Sequence, residues 1–290
     1  TFDMIPYADQ GEAVNDLRNG RVNGVLTIPP DYSRRVLSRN SPRVALIEDN
    51  TDNFVTGTLA AQIGALVANV GGTKITTARA ATAPSVDVVE VYPYVPYIQY
   101  LLPGSIVMSI FMMVMIGGGI IFIDDKARGL HEGYLVTPIT KFDLIAGFNI
   151  SGTIKAVLAG ATIMIVGAIV AGIPNPLDPL RLLRLLIVVV ITAFALISLM
   201  FLIMVRVNDP LLPRGIFGIL NTLLYFPSGA VYPTYAFPTW MQYITRFDPF
   251  TYAVHAFKSL LLKDTGLAAI SGDLLYLVAF SVIAMTAATL

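Results

Sequence analysis

The stretch "IIFIDDKARGLHEGYLVTPITKFDLIAG", Ile120–Gly147, decides how the whole chain is read. An apolar run ends at Asp124 and Asp125. A short polar passage follows with Lys126, Arg128, Gly129, Glu132, Thr137 and Pro138, and apolar sequence resumes at Leu144. Two apolar runs joined by so charged a turn read as two membrane crossings whose connection lies at the bilayer surface. The composition agrees. Hydrophobic residues make up 55% of the 290 and charged residues 13%, with a mean hydropathy of +0.70, outside the range of soluble domains.

A hydrocarbon core of about 30 Å calls for about 20 apolar residues of helix. Leu101–Ile123, Leu144–Gly172 and Leu182–Val205 meet that measure; the second is interrupted only by Lys155, and the turn "IPNPLDP" precedes the third. Ile216–Tyr232 is shorter and is broken at Pro227-Ser228-Gly229, after which Pro233, Pro238 and Pro249 cut the chain into pieces too short to cross. The region 227–262 therefore reads as re-entrant or interfacial, and Leu274–Leu290 as a last span. Lys126, Arg128, Lys141, Arg206 and Arg214 on one set of loops balance Arg181, Arg184, Arg246, Lys258 and Lys263 on the other, so loop charge gives no orientation.

Residues 1–96 are mixed and polar and read as a small α/β domain ahead of a membrane domain at 97–290. Helical spacing covers Asp9–Asn19, a second helix follows "PP" at Asp31, and Asn53–Val70 is an Ala-containing third. Gly24–Ile28, Arg43–Glu48 and Val86–Tyr92 read as strands. The arginines at 18, 21, 34, 35, 39 and 43 could meet an anionic partner, but are read first as solvated helix faces. If this domain lies outside the membrane, a transmembrane helix upstream of Thr1 is implied.

Several functions are argued against. Nineteen basic and nineteen acidic residues cancel, and no basic run with interleaved aromatics invites nucleic acid. Without cysteine there is no thiolate nucleophile, and His131 and His255 alone make a poor metal set, so no metal site is expected. "VGGTK" at Val70–Lys74 lacks the spacing of a phosphate loop, and no Gly-x-Ser-x-Gly elbow is present. No catalytic residue is assigned.

The residues of the quoted turn leave two readings open. It is either a plain surface turn, with Asp124 or Asp125 as a helix N-cap and Pro138 as a break, or a docking element. In the second reading a short amphipathic helix offers Leu130, Tyr134, Leu135 and Val136 as apolar contacts and Glu132 as a charge to a partner's groove.

"DDKARGLHEGYLVTPIT" resembles the segment between the second and third membrane helices of ABC-2 type (type V) exporter permeases. Arg128, Gly129, Glu132, Leu135, Val136, Thr137 and Pro138 match its pattern, while Leu130 and His131 depart from its usual Gly-Thr-Leu-Glu. A second match is "YFPSGAVYPTYAFPTWMQYITRFDPFTYAVHAFKSLLL", Tyr225–Leu262, which is similar to the family's Phe-Pro-Ser-Gly, Tyr-Pro, Pro-x-Trp and Asn-Pro-x-Thr-Tyr-Ala-Val series. Family members often carry an acid where His255 stands, so the acid-base pair with Lys258 is expected to be missing. Read physically, Asp248-Pro249 is an N-cap with proline at the first helical position. Thr251, His255, Lys258 and Ser259 then form a polar stripe opposite Phe250, Val254, Phe257 and Leu261. The aromatics Tyr225, Tyr232, Tyr235, Trp240 and Tyr243 read as either a substrate lining or an interfacial belt.

The resemblance implies a mainly α membrane protein, an ABC-2 helix bundle with broken re-entrant helices plus a small α/β extracytoplasmic domain. It implies a cytoplasmic coupling helix at 124–140 in which Asp125, Lys126, Arg128, Gly129, Glu132, Thr137 and Pro138 meet the ATPase subunit. The candidate pathway and exit residues are Met115, Phe226, Tyr232, Tyr235 and Phe237. The implied partners are two copies of an ABC ATPase, which bind the ATP and Mg that this chain does not, a second permease in a homo- or heterodimer, membrane lipid, and a periplasmic adaptor. The implied activity is export of amphiphilic drugs or lipid-like molecules across the cytoplasmic (inner) membrane by a subunit that is not itself an enzyme. The alternative is a membrane-anchored ligand-binding or sensor protein. Lys155 is a functional candidate, a snorkelling lysine or a contact to polar groups at a subunit interface, Gly117, Gly118 and Gly119 a hinge or a packing surface, and Asn221 a donor across helices.

Overall fold

The computed structural model describes residues 4–38, 43–51, 53–70, 85–90, 95–129, 133, 137–204, 207 and 212–289. The chain divides into two compact units, Thr1–Val95 and Pro96–Leu290.

In the first unit, α1 (Gln10–Arg18) starts at Asp9, whose carboxylate accepts from the Glu12 amide at 3.2 Å. The Tyr7 hydroxyl donates to Asp16 at 2.8 Å, and this hydrogen bond pushes the phenol pKa up. Then come β1 (Gly24–Thr27), α2 (Tyr32–Ser38), β2 (Arg43–Glu48), α3 (Asn53–Val70) and β3 (Ser85–Glu90). β2 is the central strand, antiparallel to β1 and parallel to β3. The parallel pair requires a crossover, which α3 supplies. Val44 and Leu46 of β2 pack with Ile63 and Val67 of α3, the core that the alternation in Arg43–Glu48 predicts. The "VGGTK" loop lies outside the described residues except for Val70.

The second unit opens with α4 (Tyr97–Val114), four residues earlier than the apolar run suggests, because Tyr97–Tyr100 complete its first turn. It passes through a π-helical stretch, Met115–Ile120, directly into α5 (Ile121–Ala127). Asp124 and Asp125 therefore stand in the last turns of a helix and neither is an N-cap. The cap role at this connection falls to Thr140, whose hydroxyl oxygen accepts from the Asp143 amide at 3.1 Å while Asp143 accepts from the Thr140 amide at 3.0 Å. α6 (Lys141–Val170) follows, then α7 (Pro179–Met204) and α8 (Leu212–Leu220), which a π-helical turn, Asn221–Tyr225, prolongs. A 3₁₀ turn (Thr234–Ala236), α9 (Thr239–Thr245), α10 (Pro249–Leu262) and α11 (Ser271–Thr289) complete the unit. Among the described residues four stretches are long and apolar enough to cross a membrane: Tyr97–Asp125, Asp143–Val170, Pro179–Met204 and Ser271–Ala288.

Gln99, in the first turn of α4, donates to the carbonyls of Ala171 and Gly172 at 3.0 and 3.3 Å, just past the last turn of α6. Arg181, in the first turn of α7, donates to the Pro174 carbonyl at 2.9 Å. These elements share one end of the bundle, here the upper end; Gly129 and Thr140 mark the lower end. The core joins α4, α6, α7, α10 and α11, with Ile106, Ile110, Phe111, Val188, Leu196, Phe201 and Phe257 fully enclosed. Leu275, Val278, Val282 and Ile283 of α11 are exposed, as a lipid-facing helix requires, and Ile150, Ile154, Leu158 and Val166 of α6 are exposed on the outside of the isolated subunit.

The glycine triplet is a packing surface. A Cβ at Gly117 would stand 3.2 Å from Lys155 Cδ on α6, one at Gly118 2.7 Å from Ile197 Cδ1 on α7, and one at Gly119 2.5 Å from Phe217 Cζ on α8. Successive residues point in different directions around the helix, so each glycine admits a different neighbour. Gly119→Leu is expected to destabilise the subunit by about 1–3 kcal/mol through overpacking against the Phe217 ring. Gly117→Ala, which has only a flexible lysine stem to displace, should cost well under that. Thermal unfolding of the two purified variants beside wild type checks the order.

Candidate functional site

The broken region is built around α10. Asp248, 2% exposed, accepts from the Phe250 amide at 2.9 Å and from the Thr251 hydroxyl at 3.2 Å, and Pro249 follows at the first helical position, as the Asp-Pro pair predicts. At the other end Arg181 Nη2 donates to the carbonyls of Leu261 at 2.5 Å and Leu260 at 3.5 Å, and its Nε lies 3.9 Å from Asp264, which closes the helix at φ +49°. A helix end leaves four carbonyls without intrahelical partners, and here Leu260 and Leu261 are buried, so side chains must meet their carbonyls. Arg181 meets two of them and places its charge at the negative end of the helix dipole.

Depth follows from packing. The Phe250 ring meets Phe111 edge-on with centroids 5.1 Å apart. Phe111 lies roughly 20 Å along α4 from Tyr97 at the upper end. α10 has 14 residues, again roughly 20 Å, and ends on Arg181 at the upper end. It therefore begins deep in the bundle and returns to the end it shares with α4 and α7.

Before α10 the chain breaks at Pro227-Ser228-Gly229. Ser228, 2% exposed, donates to the Tyr225 carbonyl at 2.7 Å and accepts from the Ala230 amide at 3.3 Å, so one hydroxyl serves both sides of the break. Gly229 adopts φ +83°, a conformation that favours glycine. Its carbonyl accepts from Lys258 Nζ at 2.8 Å, and the same ammonium sits 3.6 Å from the centroid of the Tyr100 ring. A Cβ at Gly104 would lie 2.7 Å from Ala230 Cβ. The break is thus seated on the upper part of α4 and held there from α10.

On α10, Phe250, Val254, Phe257 and Leu261 are buried, Thr251 and Lys258 half-buried and His255 exposed, close to the expected stripe; Ser259 departs from it by being buried. His255 meets an acid of its own: Asp273 of α11 lies 2.7 Å from its Nδ1, while Lys258 serves the Gly229 carbonyl. The partner comes from another helix, which spacing within α10 cannot show.

At the lower end, Asp125 is half-buried in α5, and Lys126 lies in the same helix. Arg128 and Gly129 are exposed, and Gly129 ends the helix at φ +77°. Thr137 and Pro138 are exposed in the turn before α6. Glu132, with Leu130, His131, Tyr134, Leu135 and Val136, lies outside the described residues. Among the pathway candidates Phe226 is 50% and Tyr232 45% exposed, and Phe237 is half-buried with its carbonyl accepting from Gln242 at 2.8 Å. Tyr235 falls in the 3₁₀ turn. Met115 stands apart, packed against the main core at the start of the π-helix, roughly 16 Å along the helix from the Gly104 seat. Asn221 makes no cross-helix bond through its Oδ1, which is buried without a partner among the described residues.

Sequence reasoning missed Arg181, Gln99, Tyr100 and Asp273. None carries a local signature, since each acts on a segment distant in the chain. "TKFD" at Thr140–Asp143 does carry a capping-box signal and was readable. Arg181→Met keeps a long stem but leaves three carbonyls unpaired, and should lower stability by about 3 kcal/mol. Lys258→Met should cost about 2 kcal/mol. Asp248→Asn should cost less than either, because asparagine caps as well as aspartate. Thermal midpoints of the three variants in one detergent test the ranking.

A family model described as ABC-2 family transporter protein matches residues 1–290. No match was found among curated proteins or among solved structures. The whole-length match, the four helices able to cross a membrane and the accompanying three-stranded sheet together establish that this chain belongs to the ABC-2 family of transporter proteins, the membrane-spanning permease components of ABC transporters.

Proposed function

We propose that the chain is the permease subunit of an ATP-driven exporter that moves amphiphilic drugs or lipid-like molecules out of the cytoplasm or the inner leaflet. The observation that carries this reading is a continuous rod. α4, the π-helical stretch and α5 run unbroken from Tyr97 to Ala127, so the helix that ends at the charged turn also carries Tyr100 and Gly104, the seat of the broken segment. Force applied to Asp125–Pro138 by a soluble partner would reach the Gly229 break through one piece of secondary structure. A mere anchor for a sensor would have no use for a re-entrant helix capped at both ends.

In this reading Asp125, Lys126, Arg128, Gly129, Glu132, Thr137 and Pro138 dock on an ABC ATPase present in two copies, which binds ATP and Mg, and a second permease completes the pathway. The lower end faces the cytoplasm. The protein sits in the cytoplasmic membrane with residues 1–96 outside. Tyr232, Tyr235 and Phe237 stand near the external mouth, with Phe226 and Met115 deeper.

The ATPase should co-purify with the chain, and Glu132→Arg should abolish substrate-stimulated ATP hydrolysis and export in a folded complex. Survival of both activities would remove the docking assignment. Because the chain has no cysteine, single cysteines report topology cleanly. Ser41→Cys should react with an impermeant maleimide in intact cells or spheroplasts and Ala127→Cys should not; the reverse pattern would remove the exporter model. Cross-linking Tyr232→Cys between two permeases should stop export while basal ATP hydrolysis persists.

A further inference from the structure

We propose, resting on the exporter reading, that Lys155 is an anion site on the pathway and that the cargo is an amphiphile with an acidic group. Lys155 lies within two residues of the midpoint of the crossing stretch Asp143–Val170, roughly 18–22 Å along the helix from either end. A four-carbon stem cannot carry its ammonium to an interface from there. The stem lies instead across Gly117, at 3.2 Å from where a Cβ would stand, and the residue is exposed on the outside of the isolated subunit.

Lys155 is not alone on that face. Ser151, one turn before it, and Thr162, two turns after it, are also exposed and share the same side of an otherwise apolar helix. A polar stripe pointing away from the subunit core suits a hydrated cavity and is costly against lipid tails.

No described residue of this subunit supplies the counter-charge. Among the described residues of the membrane unit, Asp124, Asp125 and Asp143 lie at the lower end and Asp178, Asp264 and Asp273 near the upper end. Asp248 is deep, but it is buried in the cap of α10. No described residue forms an ion pair with Lys155. In a homodimer the described residues of the second copy do not supply one either. A two-fold axis along the membrane normal keeps every residue at its own depth, so among the described residues the copy brings to this level another Lys155 and another buried Asp248. Two permeases facing one another would therefore line a mid-membrane cavity with two uncompensated ammonium groups. The occupant that satisfies them is an acid, a carboxylate or a phosphate, carried on an apolar body that the surrounding Ile116, Ile154 and Leu158 accommodate.

The test uses the permease–ATPase complex in phosphatidylcholine nanodiscs with two fluorescent probes, 11-(dansylamino)undecanoic acid and its methyl ester, which differ in charge but not in tail. Wild type should bind the acid about tenfold more tightly than the ester. Lys155→Arg should keep that preference. Lys155→Gln should reduce it below about twofold with ester binding unchanged, and unchanged ester binding shows that the variant is folded. Equal binding of acid and ester by wild type, or an acid preference that survives in Lys155→Gln, would overturn the proposal. So would a zero-length carbodiimide cross-link from Lys155 to a carboxylate of a neighbouring permease, which would make its counter-ion a protein group. Basal ATP hydrolysis is read on the same samples. An active ATPase complex without acid preference sinks the anion site and leaves the exporter reading standing, whereas failure to assemble with an ATPase counts against the exporter reading itself.

Discussion

A backbone that stops being helical inside a membrane must find partners for its free amides and carbonyls, and this requirement organises the membrane unit. The chain meets it with a few polar side chains, each placed at a helix end: Asp248 and Arg181 on α10, Ser228 across the break, Lys258 on the Gly229 carbonyl and Gln99 at the close of α6. An unpaired buried carbonyl costs about 1–3 kcal/mol, comparable to a large fraction of a domain's net stability, so the broken segment persists only because these contacts exist together. Two of the residues are cations that serve carbonyl oxygens. Their charge thereby complements the helix end or the aromatic ring they face.

The same contacts connect the ends of the bundle mechanically. α4 is the element through which they pass: its first turn holds the end of α6, Tyr100 and Gly104 hold the break, Phe111 holds the start of α10, and its continuation ends at the charged turn. The π-helical stretch lies between these two functions. There, three glycines let α6, α7 and α8 approach the helix on different sides. The close packing at these glycines makes a dense collar in the lower half of the helix, and such a collar resists gradual deformation. Under the proposed function this is the stretch through which movement at the charged turn would have to pass.

Much of the crossing pattern was legible beforehand, because apolar length is a local property and a bilayer reads it locally. The Asp-Pro start of α10 and the proline break were legible for a similar reason: capping and the missing amide act within a few residues. The N-cap assigned to Asp124 or Asp125 failed because the apolar count ended the helix at Ile123, while the described helix runs on to Ala127 with its charges in the last turns. The pairing of His255 with Asp273 was not legible, because Asp273 lies on the next helix.

The sequence by itself determined the membrane class, the four crossing stretches, the small α/β part, the broken segment and the capped start of its helix, since hydrophobic length, alternation, proline and capping are short-range constraints. Tertiary structure alone decided which carbonyls Arg181 and Lys258 serve, which neighbour the packed glycines admit and where Lys155 stands relative to the described carboxylates of the membrane unit. Those are relations between segments far apart in the chain, 80 residues in the case of Arg181 and Leu261. No local signal encodes them, because they arise only when helices with separate surface patterns are packed at a common depth.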